Sequence, residues 1–264
     1  MTATQPGQAF VHSGIPPRVR ALIWEVFFRS RGRGVSFEDH LPWASDADTL
    51  CVAIDPGEAD MADAALLIRS SPLAGTGMIG FVAVREAVRG RGLSRILLDG
   101  AIVAAAGTYR SLLLWTDKAA VYEAAGFVVC GRDVALRFQL PPNPEPIGFD
   151  AGPWPPCGTS VGLPAFAIKG GTATCAGASL VYALSGETAT VMGWTGTPEV
   201  VTRLIASVWP GIWHMNVGDD DPLERAVARV ATSFLRAPGA LTMRRDLDPK
   251  AAGALARITP LERI

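Results

Sequence analysis

The 264 residues suffice for one large domain or two small ones, and a hydrophobic share of 49% supplies a packed core, which excludes a mostly disordered chain. A formal net charge of −1 leaves no overall field to draw the protein to nucleic acid or to an anionic membrane, so neither is expected as a partner. The four cysteines, Cys51, Cys130, Cys157 and Cys175, and the three histidines, His12, His40 and His214, are scattered without C-x-x-C spacing, which argues against a metal site and against a disulfide framework.

Met1 to Ser13 has no basic start followed by an apolar run, so no secretory signal is expected. The apolar stretch from Ile96 to Ala106 is interrupted by Asp99 and is too short to span a bilayer. A soluble, cytoplasmic protein is the expectation. Pro16-Pro17 then opens a segment from Arg18 to Ser30 with Val19, Leu22, Ile23, Val26 and Phe27 at helical spacing. A short helix is expected around Phe37 to Leu41. The period changes afterwards, and strands are expected at Thr49–Ile54, Ala64–Ile68 and Met78–Val84, with a turn at Asp55-Pro56-Gly57.

A helix follows with Leu93, Ile96, Leu97, Ala101 and Ala104 on one face and Gly107 placed to end it. Ser111 to Trp115 reads as a strand buried on both faces. A short helix over Lys118–Ala125 and strands at Phe127–Val129 and Val134–Leu140 complete the unit. The order is that of an α/β (α+β) layer architecture, a mixed sheet flanked by helices. Seven prolines from Pro141 to Pro156 predict a linker over 141–162, separating a domain at 1–140 from one at 163–264. In the latter, strands are expected at Ala165–Lys169, Ser179–Ser185, Thr188–Trp194, Gly211–Val217 and Ala240–Leu247. Helices are expected at Pro198–Val208, Asp221–Thr232 and near Ala251–Arg257. Most of Trp154, Trp194, Trp209 and Trp213 are expected in its core.

The informative stretch is Arg89-Gly90-Arg91-Gly92-Leu93-Ser94, placed where a strand hands over to a helix. A helix start leaves backbone N–H groups unpaired and carries partial positive charge, and glycines let the chain wrap so that those donors converge on one anion. Phosphate is the natural guest. There is no G-x-x-x-x-G-K-[ST], and the glycines do not fit G-x-G-x-x-G, so neither a Walker ATP site nor a dinucleotide fold is indicated.

This stretch resembles the R/Q-x-x-G-x-G/A signature of the GCN5-related N-acetyltransferases, with Val84 ahead of it where that family keeps a strand-end valine. Tyr122-Glu-Ala-Ala-Gly126-Phe127 is similar to the family's Tyr-x-x-x-Gly-Phe. The resemblance covers about Pro17 to Leu140. Ser94 departs from the usual Gly or Ala, but it is small enough to fit and adds a hydroxyl. Val121 stands where many members have Phe or Leu.

What the resemblance implies is an acetyl-CoA-dependent acyltransferase without a metal. The strand of Val82 and Val84 would splay from its neighbour and pair with the pantetheine arm. Arg89, Gly90, Arg91, Gly92, Leu93 and Ser94 would cradle the pyrophosphate. Backbone donors near Val82 would stabilise the oxyanion formed when an amine attacks the thioester. Tyr122, by family position, would be the general acid that protonates the departing thiolate. Arg85, Arg89, Arg91 and Arg95 are candidates for the 3′-phosphate, with a solvated side chain an equal reading for Arg85 and Arg95. No base is singled out among Glu38, Asp39, His40, Glu86 and Asp117.

The second half has no Arg-x-x-Gly-x-Gly counterpart. Its element order, and Val217-Gly-Asp-Asp-Asp-Pro222 followed by Leu241-Thr-Met-Arg-Arg, are similar to the C-terminal domain of two-domain acetyltransferases of the YitH/HolE type. The resemblance therefore implies a catalytic domain followed by a degenerate one. Two functions stay open: an N-acetyltransferase acting on a small-molecule amine, and a non-catalytic acyl-CoA-binding sensor or assembly module. Sequence leaves the acceptor and the oligomeric state open.

Overall fold

The computed structural model describes residues 8–55, 59–142, 146–156, 159–251, 256 and 258–263. The expected turn at Pro56-Gly57, Cys157 and most of the expected helix near Ala251–Arg257 lie outside the described residues. Among the described residues no helix is long and apolar enough to cross a membrane. The chain divides into two compact units, one of residues 1–131, 241–258 and 262–264, the other of residues 132–240 and 259–261.

In the first unit β1 (Ala9–Ser13), β2 (Leu50–Ile54), β3 (Ala64–Ser70) and β4 (Thr76–Val84) pair antiparallel in chain order. β5 (Ser111–Thr116) then lies parallel to β4. Alternation places Leu66 and Ile68 in one core with Leu97, Leu98 and Ala101 of the long helix Leu93–Ala105. Ala65 and Leu67, equally buried, point to the other face, where the helix α1 (Pro17–Ile23) packs on β3 and β4. The sheet is thus covered on both sides, which is why its strands read as unbroken apolar runs. Numbering the remaining helices in chain order gives α2 (Phe37–His40), α3 (Leu93–Ala105) and α4 (Ala119–Glu123).

The expected helix over Arg18–Ser30 is not uniform. It starts as α1, widens to a π-helix over Trp24–Phe28 and tightens to a 3-10 turn over Arg29–Arg31 before Gly32 turns left-handed at φ 62°. β1 has no counterpart among the expected elements. Its burial alternates weakly, and it forms because β2 offers an edge.

The domain boundary needs correction. Phe127–Val129 and Val134–Leu140, expected as two strands, are one strand, β6 (Val128–Gln139). The last strand, β12 (Ser233–Asp246), also begins well before the expected start at Ala240 and runs through Pro238-Gly239. Each serves both units in turn. In the first unit, Leu241–Asp246 inserts beside β5, pairing antiparallel from Leu241↔Thr116 to Asp246↔Ser111, with Met243 fully buried against the α3 core. Ile258 packs on Met78 and Leu113, and Arg263 stacks over Trp115 at 4.5 Å. Residues 241–258 therefore belong with the first unit and 132–140 with the second, because ladder pairing over long strands outweighs nearness in sequence. Met243→Ala is expected to cost about 2–5 kcal/mol. Calorimetry should show a fall in unfolding midpoint of at least about 5 °C.

In the second unit β7 (Asp150–Pro153), β8 (Lys169–Cys175), β9 (Ala178–Ser185) and β10 (Thr188–Thr195) form an antiparallel meander. β11 (Ile212–Val217) lies parallel to β10 and antiparallel to the second part of β6. The strand expected at Ala165–Lys169 starts instead at Lys169, and β7 lies in the stretch expected as linker. Helices α5 (Pro198–Val208) and α6 (Pro222–Val230) close a core around Trp213, Phe138 and Leu204. Pro at the first helical position fixes the start of both.

Candidate functional site

β4 and β5 are hydrogen-bonded only from Thr76↔Ser111 to Met78↔Leu113. Beyond that point β4 runs on to Val84 and β5 to Thr116 without pairing to each other. One edge of β4 stays bound to β3 while its other edge, at the level of Val82 and Val84, has no ladder partner among the described residues. An unpaired edge inside a sheet offers backbone donors and acceptors to an extended ligand. Both valines are half-buried against the α3 core.

The split coincides with a bulge that the sequence pattern does not announce. Between Ala65↔Ala83 and Leu67↔Gly80, Leu66 faces both Phe81 and Val82, and Phe81 takes φ 51°. Left-handed backbone on an aromatic residue is strained, and bulges re-aim side chains beside sites. The Phe81 ring meets Phe27, on the π-helical turn, edge to face at 5.2 Å. Two irregular backbone segments are joined by that contact. Local propensity favours neither, so sequence reasoning missed both; the Gly80 break in the apolar run was the one available signal.

At the end of β4 the chain makes a 3-10 turn, Glu86–Val88, and reaches Arg89. Gly90 and Gly92 both have positive φ, 78° and 76°, and a Cβ on either would meet nothing within 4 Å, so the surface around them is open. Gly92 caps α3 without a side-chain bond, and the first turn holds no acidic residue. Among the described residues, none of the backbone N–H groups of Gly90, Arg91, Gly92, Leu93 and Ser94 donates to a protein acceptor. Consecutive free amides at the positive end of a helix, with no carboxylate to compensate them, favour a multiply charged anion. The equivalent turn of the second unit, between β10 and α5, differs in kind. Pro198 removes an amide and Glu199 puts a carboxylate in the first turn.

The arginines sort themselves by partner. Arg85 is engaged with Asp63, its Nε donating to Oδ1 at 2.9 Å. Arg95 lies against both Asp99 oxygens at 3.0 and 2.9 Å and also donates to Ala124 O. Neither is placed as a free phosphate ligand. Arg89 keeps one bond of 3.4 Å to Val84 O, and Arg91 is exposed beside the loop.

Tyr122 sits on α4, packed against the α3 core, with its ring edge-on to Phe127 at 6.2 Å. Burial raises its pKa above the ordinary tyrosine value; a hydrogen bond with the Thr116 side chain opposes this, and Asp117 adds to it. Thr116 is itself held, its Oγ1 accepting from Lys118 N at 2.9 Å. Among the residues weighed as a base, His40 is buried and accepts Val35 N at 3.0 Å, with its ring 4.4 Å from that of Phe28. Asp39 takes part in the Ser36 cap of α2, and Glu38 lies 3.9 Å from Arg20. These are structural duties, and no base stands out.

No protein-family model matches the sequence. No curated protein matches it. Solved structures do. A GCN5-related N-acetyltransferase from Kribbella flavida aligns with a TM-score of 0.59 at 16% identity, over 91% of this chain and 72% of its own. A tandem GNAT protein from the clavulanic acid biosynthesis pathway gives 0.58 at 12% identity, over 92% and 99%. Eis1 from Mycobacterium abscessus gives 0.54 at 15% identity, over 92% and 74%. At such identities the likeness is one of fold, and it extends over both units.

Proposed function

We infer, from a chain with the fold of the GCN5-related N-acetyltransferases in two-domain form, that its first unit is an acyltransferase using acetyl-CoA as co-substrate. The acetyl group goes to a primary amine of a small molecule by direct attack on the thioester. The observation that carries this reading is the run of five uncommitted amides, Gly90 to Ser94, at the uncapped start of α3, beside the unpaired edge of β4. The amides suit the diphosphate of coenzyme A, with Arg89 and Arg91 at hand for its charge. The edge at Val82 and Val84 suits the amide-bearing pantetheine arm, and its donors would serve a thioester oxygen gaining charge.

Tyr122 holds a proton on its hydroxyl at neutral pH and can pass it to the departing thiolate. The second unit, with Pro198 and Glu199 at the corresponding turn, is taken as non-catalytic.

Calorimetry with coenzyme A, followed by a thiol-release screen over polyamines, amino acids, amino sugars and peptide N-termini, tests the reading. Heat on binding and thiol release with an amine are expected. Absence of binding overturns it, and binding without release with any amine would favour the acyl-CoA-binding module. Gly92→Val is expected to weaken coenzyme A binding about 30-fold, because a branched residue at φ 76° forces the loop out of shape, a penalty of about 2 kcal/mol.

A further inference from the structure

The turn that follows Tyr122 is held from two sides by arginines. Arg95, in the first turn of α3, donates to Ala124 O, and Arg245, on β12, donates through Nη1 to Ala125 O. The same turn closes on Tyr122 itself, whose carbonyl accepts Ala125 N at 2.9 Å and Phe127 N at 3.2 Å. Gly126, at φ 78°, leaves the space that the Arg245 guanidinium fills; a Cβ there would collide with Nη1.

α4 spans only Ala119–Glu123, too short to hold its own shape, and carbonyls at a helix C-terminus lack internal donors. Guanidinium groups are the natural partners at that negative end. Arg245 does this at a cost, since its Nε is buried without a hydrogen-bond partner among the described residues. An apolar residue would serve β12 pairing alone without that cost. Its guanidinium instead reaches one carbonyl, three residues past the tyrosine.

We propose that Arg245, reaching the first unit from the last strand of the chain, is a positioning residue that with Arg95 fixes the α4 turn and thereby the Tyr122 hydroxyl. Arg95 also belongs to the helix whose amides form the anion site, so one side chain ties that site to the tyrosine turn. The chemical consequence rests on the acyl-transfer reading; the geometry does not.

Two measurements on the full chain test this. Hydrogen exchange, which requires no coenzyme, is expected to show the Ala125 and Phe127 amides exchanging at least 10-fold faster in Arg245→Met, with Leu97 to Ala101 unchanged. In thiol-release kinetics Arg245→Met should lower kcat about 10-fold while KM for acetyl-CoA and Kd for coenzyme A stay within 2-fold. Arg245→Lys should recover to within about 3-fold of wild type. In a Tyr122→Phe background Arg245→Met should cause no further loss. Should Arg245→Met fail to fold, Arg245→Gln is expected to give the same pattern with at least a 3-fold loss. Unchanged exchange at Ala125 and Phe127 overturns the proposal, as does a loss of kcat that persists in full without Tyr122 or is matched by weaker coenzyme binding. If wild type neither binds coenzyme nor releases thiol, the acyl-transfer reading fails, and exchange still decides whether Arg245 holds the turn.

Discussion

A chain that ends at Ala240 is expected to lose the fold of its first unit and all coenzyme A binding. The removed segment supplies the antiparallel ladder on one edge of β5, from Ser111 to Thr116, and the buried Met243. It also supplies Ile258 against Met78 and Leu113, and the backbone donors Leu247 N and Asp248 N to Arg110 O at 2.8 and 3.0 Å. Truncating one buried methionine costs about 2–5 kcal/mol, while an entire domain is stable by about 5–15 kcal/mol. Losing Met243, Ile258 and a full strand of pairing together exceeds that margin. Calorimetry should show no cooperative transition for the first unit, and a fragment of residues 1–140 should behave alike. A truncated chain that still bound coenzyme A with wild-type affinity would refute this account of the fold.

Tyr122→Phe is expected to lower kcat about 100-fold, within the range of a lost general acid, with KM for acetyl-CoA within 2-fold. Phenylalanine keeps the packing on Phe127 and the α3 core. What is lost is the bond to Thr116, worth about 1 kcal/mol, so the unfolding midpoint should move only a few degrees. The pH dependence has a definite sign. An acid works in its protonated form, and burial raises the Tyr122 pKa, so the wild-type decline that this group causes at high pH should begin above the ordinary tyrosine range. The low-pH limb reports the acceptor amine losing its proton and should be the same in both proteins. A variant with full rate across the whole pH range would remove Tyr122 from the chemistry.

Elements whose causes are local were legible in the sequence. Pro198 after Thr197 marks the start of α5, and the apolar run from Ser111 to Trp115 marks a doubly covered strand. The glycine spacing of the loop was legible for the same reason, since positive φ at Gly90 and Gly92 is a backbone requirement written in residue type. Features created by distant partners were not. Nothing near Pro238-Gly239 says that β12 continues through them, and nothing near Cys130 to Asp133 says that β6 is unbroken; both follow from ladders closed by residues far along the chain. Phe81 in left-handed backbone has no local signature either. For Arg85 and Arg95 the sequence leaves phosphate contact and solvation equally open, whereas in the structure Asp63 and Asp99 already claim them.

The insertion of Leu241–Asp246 beside β5 also bears on biosynthesis. A ribosome delivers β5 long before its partner strand exists, so the edge of β5 and the apolar surface that Met243 will cover wait in the open while the rest is translated. The unit made first is the one that finishes last. A nascent chain with such a vacancy is exposed to aggregation and to pairing with a neighbouring copy, and chaperone demand should peak in that interval.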